Sequence, residues 1–214
     1  MPATFVLIAL NVAAYLFEVA AGSGGINNPS GAVINDFALR GFSVADGEWY
    51  RLVSGGFLHA GLLHVGFNML LLFFLGRLLE PALGTPRFLA LYFASLLAGA
   101  CGALLLTDPL VATVGASGAV FGLFGAAFLI AQVRGFSALA GELGFLIVIN
   151  LVFTFGRANI SIGGHLGGLV GGLLCGLVVI AGGRGMLGRR PLYAELGLIG
   201  LIGLVAAVAA IAVA

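Results

Sequence analysis

Six polar side chains stand where the chain offers little but hydrocarbon: His59, His64, Asn68, Ser117, Asn150 and His165. Each falls in or beside a long apolar run, and a polar group there is a functional candidate by default. Their types suit one chemistry. A serine hydroxyl becomes a nucleophile when an imidazole takes its proton. The oxyanion that follows needs fixed N–H donors around it. His64 and Asn68 are four apart, so they share a helix face. Ser117 lies in Gly-Ala-Ser-Gly, where a loop becomes a helix, so its own N–H is an unpaired donor and the helix dipole favours an anion there. Gly115 allows a tight turn that bares the hydroxyl. His165 follows Gly164 at the start of another apolar run.

Taken singly, each residue has a plainer role. A serine in a spanning helix commonly bonds a carbonyl one turn back. An asparagine such as Asn68 or Asn150 can simply join helices. A lone histidine leaves ligand, relay and catalyst open. The constellation is stronger than its members because of the glycines. Gly118, Gly122 and Ala126 recur every four residues, as do Gly164, Gly168, Gly172 and Gly176, with Gly163, Gly167 and Gly171 alongside. Such rows let helix backbones approach closely in lipid, which would bring the Ser117 hydroxyl near the His165 ring.

The elements that hold these residues follow from composition. The chain has 214 residues, 61% of them hydrophobic, 36 glycines, and only 9 basic and 8 acidic residues. Mean hydropathy is +1.20. Charge at 8% is far below the roughly 25% of soluble domains. That excludes a soluble enzyme, a disordered chain and a nucleic-acid binder. A net charge of +1 provides no field for steering an acidic partner. Residues 1–17, 52–76, 88–107, 109–133, 158–183 and 196–214 hold no charged side chain. With 143–156, they predict seven spanning helices at 3–21, 57–79, 86–106, 116–133, 136–155, 161–182 and 194–214. No period-two alternation suggests a barrel. The fold class is an all-α polytopic membrane protein: a six-helix core over 1–183, then an Arg-rich connection and a seventh helix over 184–214.

Positive charge orients the bundle. Arg77, Arg87, Arg134, Arg184, Arg189 and Arg190 fall on one side, and Arg40, Arg51 and Arg157 on the other. Positive-inside counting makes the first side cytoplasmic, with the N-terminus inside and the polar cluster toward the outer face. The loop 22–55 carries Phe37, Leu39, Phe42, Trp49 and Tyr50, too many large apolar groups for a flexible linker. It is expected to be structured and partly embedded in the outer leaflet. Cys101 and Cys175 lie in apolar runs and read as free thiols. No base precedes Arg40, which argues against a cleaved signal peptide.

Other membrane chemistries fit poorly. HExxH is missing, and Asp36, Asp46 and Asp108 all fall in loops. Three histidines without a nearby carboxylate or thiolate make a poor metal site. No phosphate loop or dinucleotide fingerprint follows a strand. Neither a metal nor a cofactor is expected.

Five motifs occur in order between Trp49 and Gly176: Trp49-Tyr50-Arg51; His59, His64 and Asn68 as HxxxxHxxxN; Gly76, Glu80 and Gly84 as GxxxExxxG; Gly115 to Gly118 as GxSG; and His165, Gly168 and Gly172 as HxxGxxxG. Together they resemble the rhomboid intramembrane serine proteases. The resemblance implies a six-helix core with one added helix. It implies Ser117 as nucleophile and His165 as general base, with His64, Asn68 and the Ser117 amide as oxyanion hole. His59 would hold water and polar contacts nearby. Phe121 would pack on His165, where tyrosine is the commoner family residue, so the stacking face is kept and the hydroxyl lost. Arg51 and Glu80 look structural, and loop 22–55 looks like the family's membrane-embedded first loop. The partners implied are transmembrane protein substrates within the lipid bilayer. With no transit or secretory signal read in the sequence, a bacterial plasma membrane is the expected location. The rival is a non-catalytic rhomboid-like protein, or a transporter, that binds client helices. A transporter would be expected to show an internal repeat, and helices 1–3 and 4–6 show none.

Overall fold

The computed structural model describes residues 1–22, 24–157, 160–184 and 191–214. Arg189 and Arg190, counted in the orientation above, lie outside the described residues. The elements run α1 (Pro2–Ala21), α2 (Ala32–Phe37), α3 (Gly41–Ala45), α4 (Arg51–Ser54), α5 (Leu62–Leu83), α6 (Thr85–Leu106), α7 (Ser117–Arg134), α8 (Ser137–Phe155), α9 (Ile162–Arg184) and α10 (Leu192–Val213). Seven are long and apolar enough to cross a membrane. The chain is a multi-pass, all-α integral membrane protein.

Six of the seven spans begin and end within two residues of the expected positions. The exception is the second span, expected over 57–79 and found as α5, Leu62–Leu83. His59 therefore sits in the loop before the helix, and Arg77 sits inside the helix instead of the connection after it. The apolar residues that suggested an earlier start have other work. Leu58 is buried with Val33 and Ala38 of the first loop.

α7 is the most buried span and forms the centre, with α5, α6, α8 and α9 around it. The two glycine rows of α9 serve different neighbours. A Cβ on Gly163 would lie 1.9 Å from the Gly102 carbonyl oxygen, and one on Gly167 would lie 2.3 Å from that of Ala98, both on α6. Gly168 and Gly172 meet α7 in the same way. Close backbone packing replaces the hydrophobic effect as the cohesive force, since lipid is as apolar as the helices.

The motif residues without evident chemistry are structural ties. Glu80, buried in α5, accepts hydrogen bonds from the Ala3 and Thr4 N–H groups and from the Thr4 and Thr85 hydroxyls. A carboxylate thus caps the first turn of α1, where it also meets the positive end of the helix dipole. Gly76, one turn earlier, leaves room for the Thr4 side chain. Arg51 is the hub of the first loop, donating to the Asn35 and Ala38 carbonyls and to the Glu48 carboxylate. Residues 24–55 fold into three short helices with Trp49, Tyr50, Phe37 and Phe42 exposed. α10 packs outside α6 and is joined to it by the Arg87–Glu195 ion pair.

Candidate active site

Helices that alternate in direction bring particular ends together. The C-terminal ends of α1 and α8 meet the N-terminal ends of α5, α7 and α9, and nearly every polar residue singled out above lies at this end. The first loop braces the turn that enters α7. Leu39 and Thr113 exchange backbone hydrogen bonds at 3.1 and 2.8 Å, and the Gly115 N–H donates to the Gly55 carbonyl at 2.9 Å.

Ser117 is the first residue of α7 and is half-buried. Its N–H belongs to the first turn, which has no carbonyl partners within the helix. Gly115, two residues earlier, has φ of +128°, a conformation that L side chains rarely adopt. It also borders both neighbours. A Cβ there would lie 2.8 Å from His64 Cε1, 2.9 Å from His64 Nε2 and 3.6 Å from Ser117 Oγ. The Nε2 edge of His64 therefore faces the turn that presents Ser117.

The other edge of His64 fixes its tautomer. The Ala60 N–H donates to His64 Nδ1 at 3.2 Å, so in the neutral ring Nε2 carries the hydrogen. A donor is thereby aimed at the Gly115–Ser117 segment. Asn68, one turn along α5, donates one amide hydrogen to the His64 carbonyl at 2.9 Å and keeps a second. His59 packs edge-on against His64, with ring centroids 5.1 Å apart. It is fully buried, and neither ring nitrogen has a hydrogen-bond partner among the described residues. Burial, reinforced by the charge of His64 when protonated, pushes the His59 ring down to about 3, so it stays neutral near pH 7.

His165 lies in the first turn of α9, buried. Its ring stacks on Phe121 of α7, with centroids 4.1 Å apart and planes 19° from parallel. Phe121 is one turn after Ser117, so the ring lies beside the turn that Ser117 opens. The one hydrogen bond of this ring among the described residues is through Nδ1, to the Thr154 hydroxyl at 2.7 Å.

Sequence reasoning missed two residues here. Thr154, near the end of α8, is one. Glu18 is the other: buried near the end of α1, its carboxylate accepts the His59 N–H at 3.1 and 3.2 Å. The only available signal was a polar residue at the outer end of an apolar run, which many inert positions share. Asn150, by contrast, does not join the cluster. Its side chain bonds back to the Leu146 carbonyl, and only its own carbonyl contributes, accepting from Thr154 at 2.8 Å. Among the described residues, no group of three or more His, Cys, Asp or Glu is arranged to hold a metal ion.

A family model described as the Rhomboid domain matches residues 46–182. Rhomboid protease GluP of Bacillus subtilis (strain 168) is 32% identical over 197 residues, which is 90% of this chain and 38% of that protein. YdcA of the same organism is 39% identical over 129 residues, 58% of this chain and 63% of that protein. RHOMBOID-like protein 5 of Arabidopsis thaliana is 45% identical over 91 residues, 42% of this chain and 29% of that protein. The chain spans less than two thirds of the length of each of these relatives.

Proposed function

The chain belongs to the rhomboid family, and on that premise we propose that it is an intramembrane serine endopeptidase that cuts transmembrane protein substrates through a Ser117–His165 dyad. Support comes from the His165 ring stacked on Phe121, one turn from Ser117, with its Nδ1 already engaged. Nε2 is then the nitrogen left to take the serine proton. The Ser117 hydroxyl attacks the scissile carbonyl, and His165 accepts its proton and returns it to the leaving amine. Water then releases the acyl-enzyme by the same route. The oxyanion is held by the Ser117 N–H, by His64 Nε2–H and by the remaining hydrogen of Asn68 Nδ2.

Hydrolysis needs water, and polar groups at membrane depth are tolerated where they line a wet cavity. The unpaired ring nitrogens of His59 offer such water two partners beside His64. With positive-inside orientation the site opens toward the outer face, and the N-terminus is cytoplasmic. A substrate helix must unwind locally to expose a carbonyl, so helices with Gly, Pro or small residues near the cut are favoured.

Activity-based labelling tests the reading. A fluorophosphonate probe is expected to modify the wild-type chain at Ser117 and leave Ser117→Ala unlabelled, with cleavage of a helical reporter lost in step. Labelling mapped to another residue, or undiminished cleavage by Ser117→Ala, would refute it. A chain that binds reporter helices but never cuts or labels would instead fit the non-catalytic rival.

A further inference from the structure

We infer that Thr154 is a positioning residue that sets the tautomer and in-plane orientation of His165, in the place where a three-membered site carries an acid. The inference rests on the dyad reading above. Thr154 is 1% exposed, and its Oγ1 makes two contacts: 2.8 Å to the Asn150 carbonyl and 2.7 Å to His165 Nδ1. A hydroxyl has one hydrogen to donate, and a carbonyl can only accept. The Thr154 hydrogen therefore points to Asn150, and an oxygen lone pair faces Nδ1. Both contacts are satisfied together only when Nδ1 carries a hydrogen. The neutral ring then has its lone pair on Nε2, the form a general base requires.

The same contact survives catalysis. When His165 takes the serine proton, Nδ1 keeps its hydrogen and Thr154 continues to accept it, so nothing need rotate during the transfer. Phe121 and Thr154 constrain different motions. Stacking fixes the plane of the ring, at 19° to Phe121, but leaves it free to turn about its normal. An in-plane hydrogen bond removes that freedom. A neutral hydroxyl stabilises the imidazolium less than a carboxylate would, so its contribution lies mainly in orientation.

The test uses the full chain purified in detergent with a helical reporter. Thr154→Val keeps the shape and removes the hydroxyl, whereas Thr154→Ser keeps the hydroxyl. Thr154→Val is expected to lower kcat by about ten- to a hundredfold with little change in KM, a loss like that on removing the group that orients a metal-bound imidazole. Thr154→Ser is expected to restore most of the rate. In 15N-histidine spectra, His165 should carry its hydrogen on Nδ1 in the wild type and redistribute toward Nε2 in Thr154→Val. Wild-type kinetics in Thr154→Val, or a serine variant as slow as the valine one, would overturn the inference. A wild-type His165 protonated on Nε2 would overturn it even if the valine variant failed to fold. Ser117→Ala separates the two readings: if it is inert while Thr154→Val is unimpaired, the dyad stands and the positioning role falls.

Discussion

Gly168 of α9 lies against Gly118 of α7 so closely that a Cβ on Gly168 would come within 2.0 Å of the Gly118 carbonyl oxygen. The two residues follow His165 and Ser117 by three positions and by one. One of the close backbone contacts between the two helices is thus built next to the proposed dyad, and Gly172 on Gly122, at 1.9 Å by the same measure, repeats it one turn further on.

Gly168→Ala should therefore push α7 and α9 apart, because the obstructing atoms are backbone and cannot rotate away. Overpacking of this kind costs about 1–3 kcal/mol, and thermal unfolding in detergent should show the loss together with strongly reduced reporter cleavage. Gly200→Ala is the control, since nothing lies within 4 Å of its Cβ position. It should match or slightly exceed wild-type stability. Equal behaviour of the two variants would refute the packing argument.

Gly115→Ala should cost activity more than stability. It combines a φ of +128° with a Cβ driven into the His64 ring, and such strain is worth about 1–3 kcal/mol. Gly135→Ala has φ of +82° but open space around its Cβ. Comparing the two by kcat and unfolding temperature separates backbone strain from displacement of His64. Full activity in Gly115→Ala would remove that contact from the site.

Asn68→Ala should lower kcat by as much as about 10²–10³ with KM little changed, the cost of losing one oxyanion donor. Asn68→Asp should behave similarly, because an ionised carboxylate has no hydrogen for the His64 carbonyl or for an oxyanion. If steady-state cleavage by either variant equals the wild type, Asn68 plays no part in the hole.

The Arg87–Glu195 pair should respond asymmetrically. The Arg87 side chain is 27% exposed and that of Glu195 4%. Removing Arg87 strands a buried carboxylate and should destabilise by about 3–5 kcal/mol. Removing Glu195 leaves an arginine that can reach water, at smaller cost, and the double variant should recover part of the loss. Thermal unfolding of the three variants reads this directly. Since α10 packs outside α6, folded protein should cleave normally in each case. A smaller effect from Arg87→Ala than from Glu195→Ala would contradict the burial argument.

Much of this molecule was written locally. Charge-free runs marked seven spans because a bilayer admits little else, and the loss of charge needs no tertiary information to read. The four-residue glycine rows identified α7 and α9 as close partners on the same principle. The start of α5 was not legible, because an apolar loop packed under the first helices has the same composition as a helix in lipid. The apolar run accordingly puts His59 in a helix that it does not occupy.

What the chain alone determined, then, is which segments enter the bilayer and which side chains it keeps polar there, since both follow from transfer out of water residue by residue. Whereas the stack of Phe121 on His165 is already expected from the motifs, only the packed bundle decided that Gly115 lies between Ser117 and the His64 ring, and that Glu18 and Thr154 belong to the same cluster. Those contacts join residues 41 and 11 positions apart, on different elements. They depend on how helices cross and where they end, and no periodicity within one helix records that.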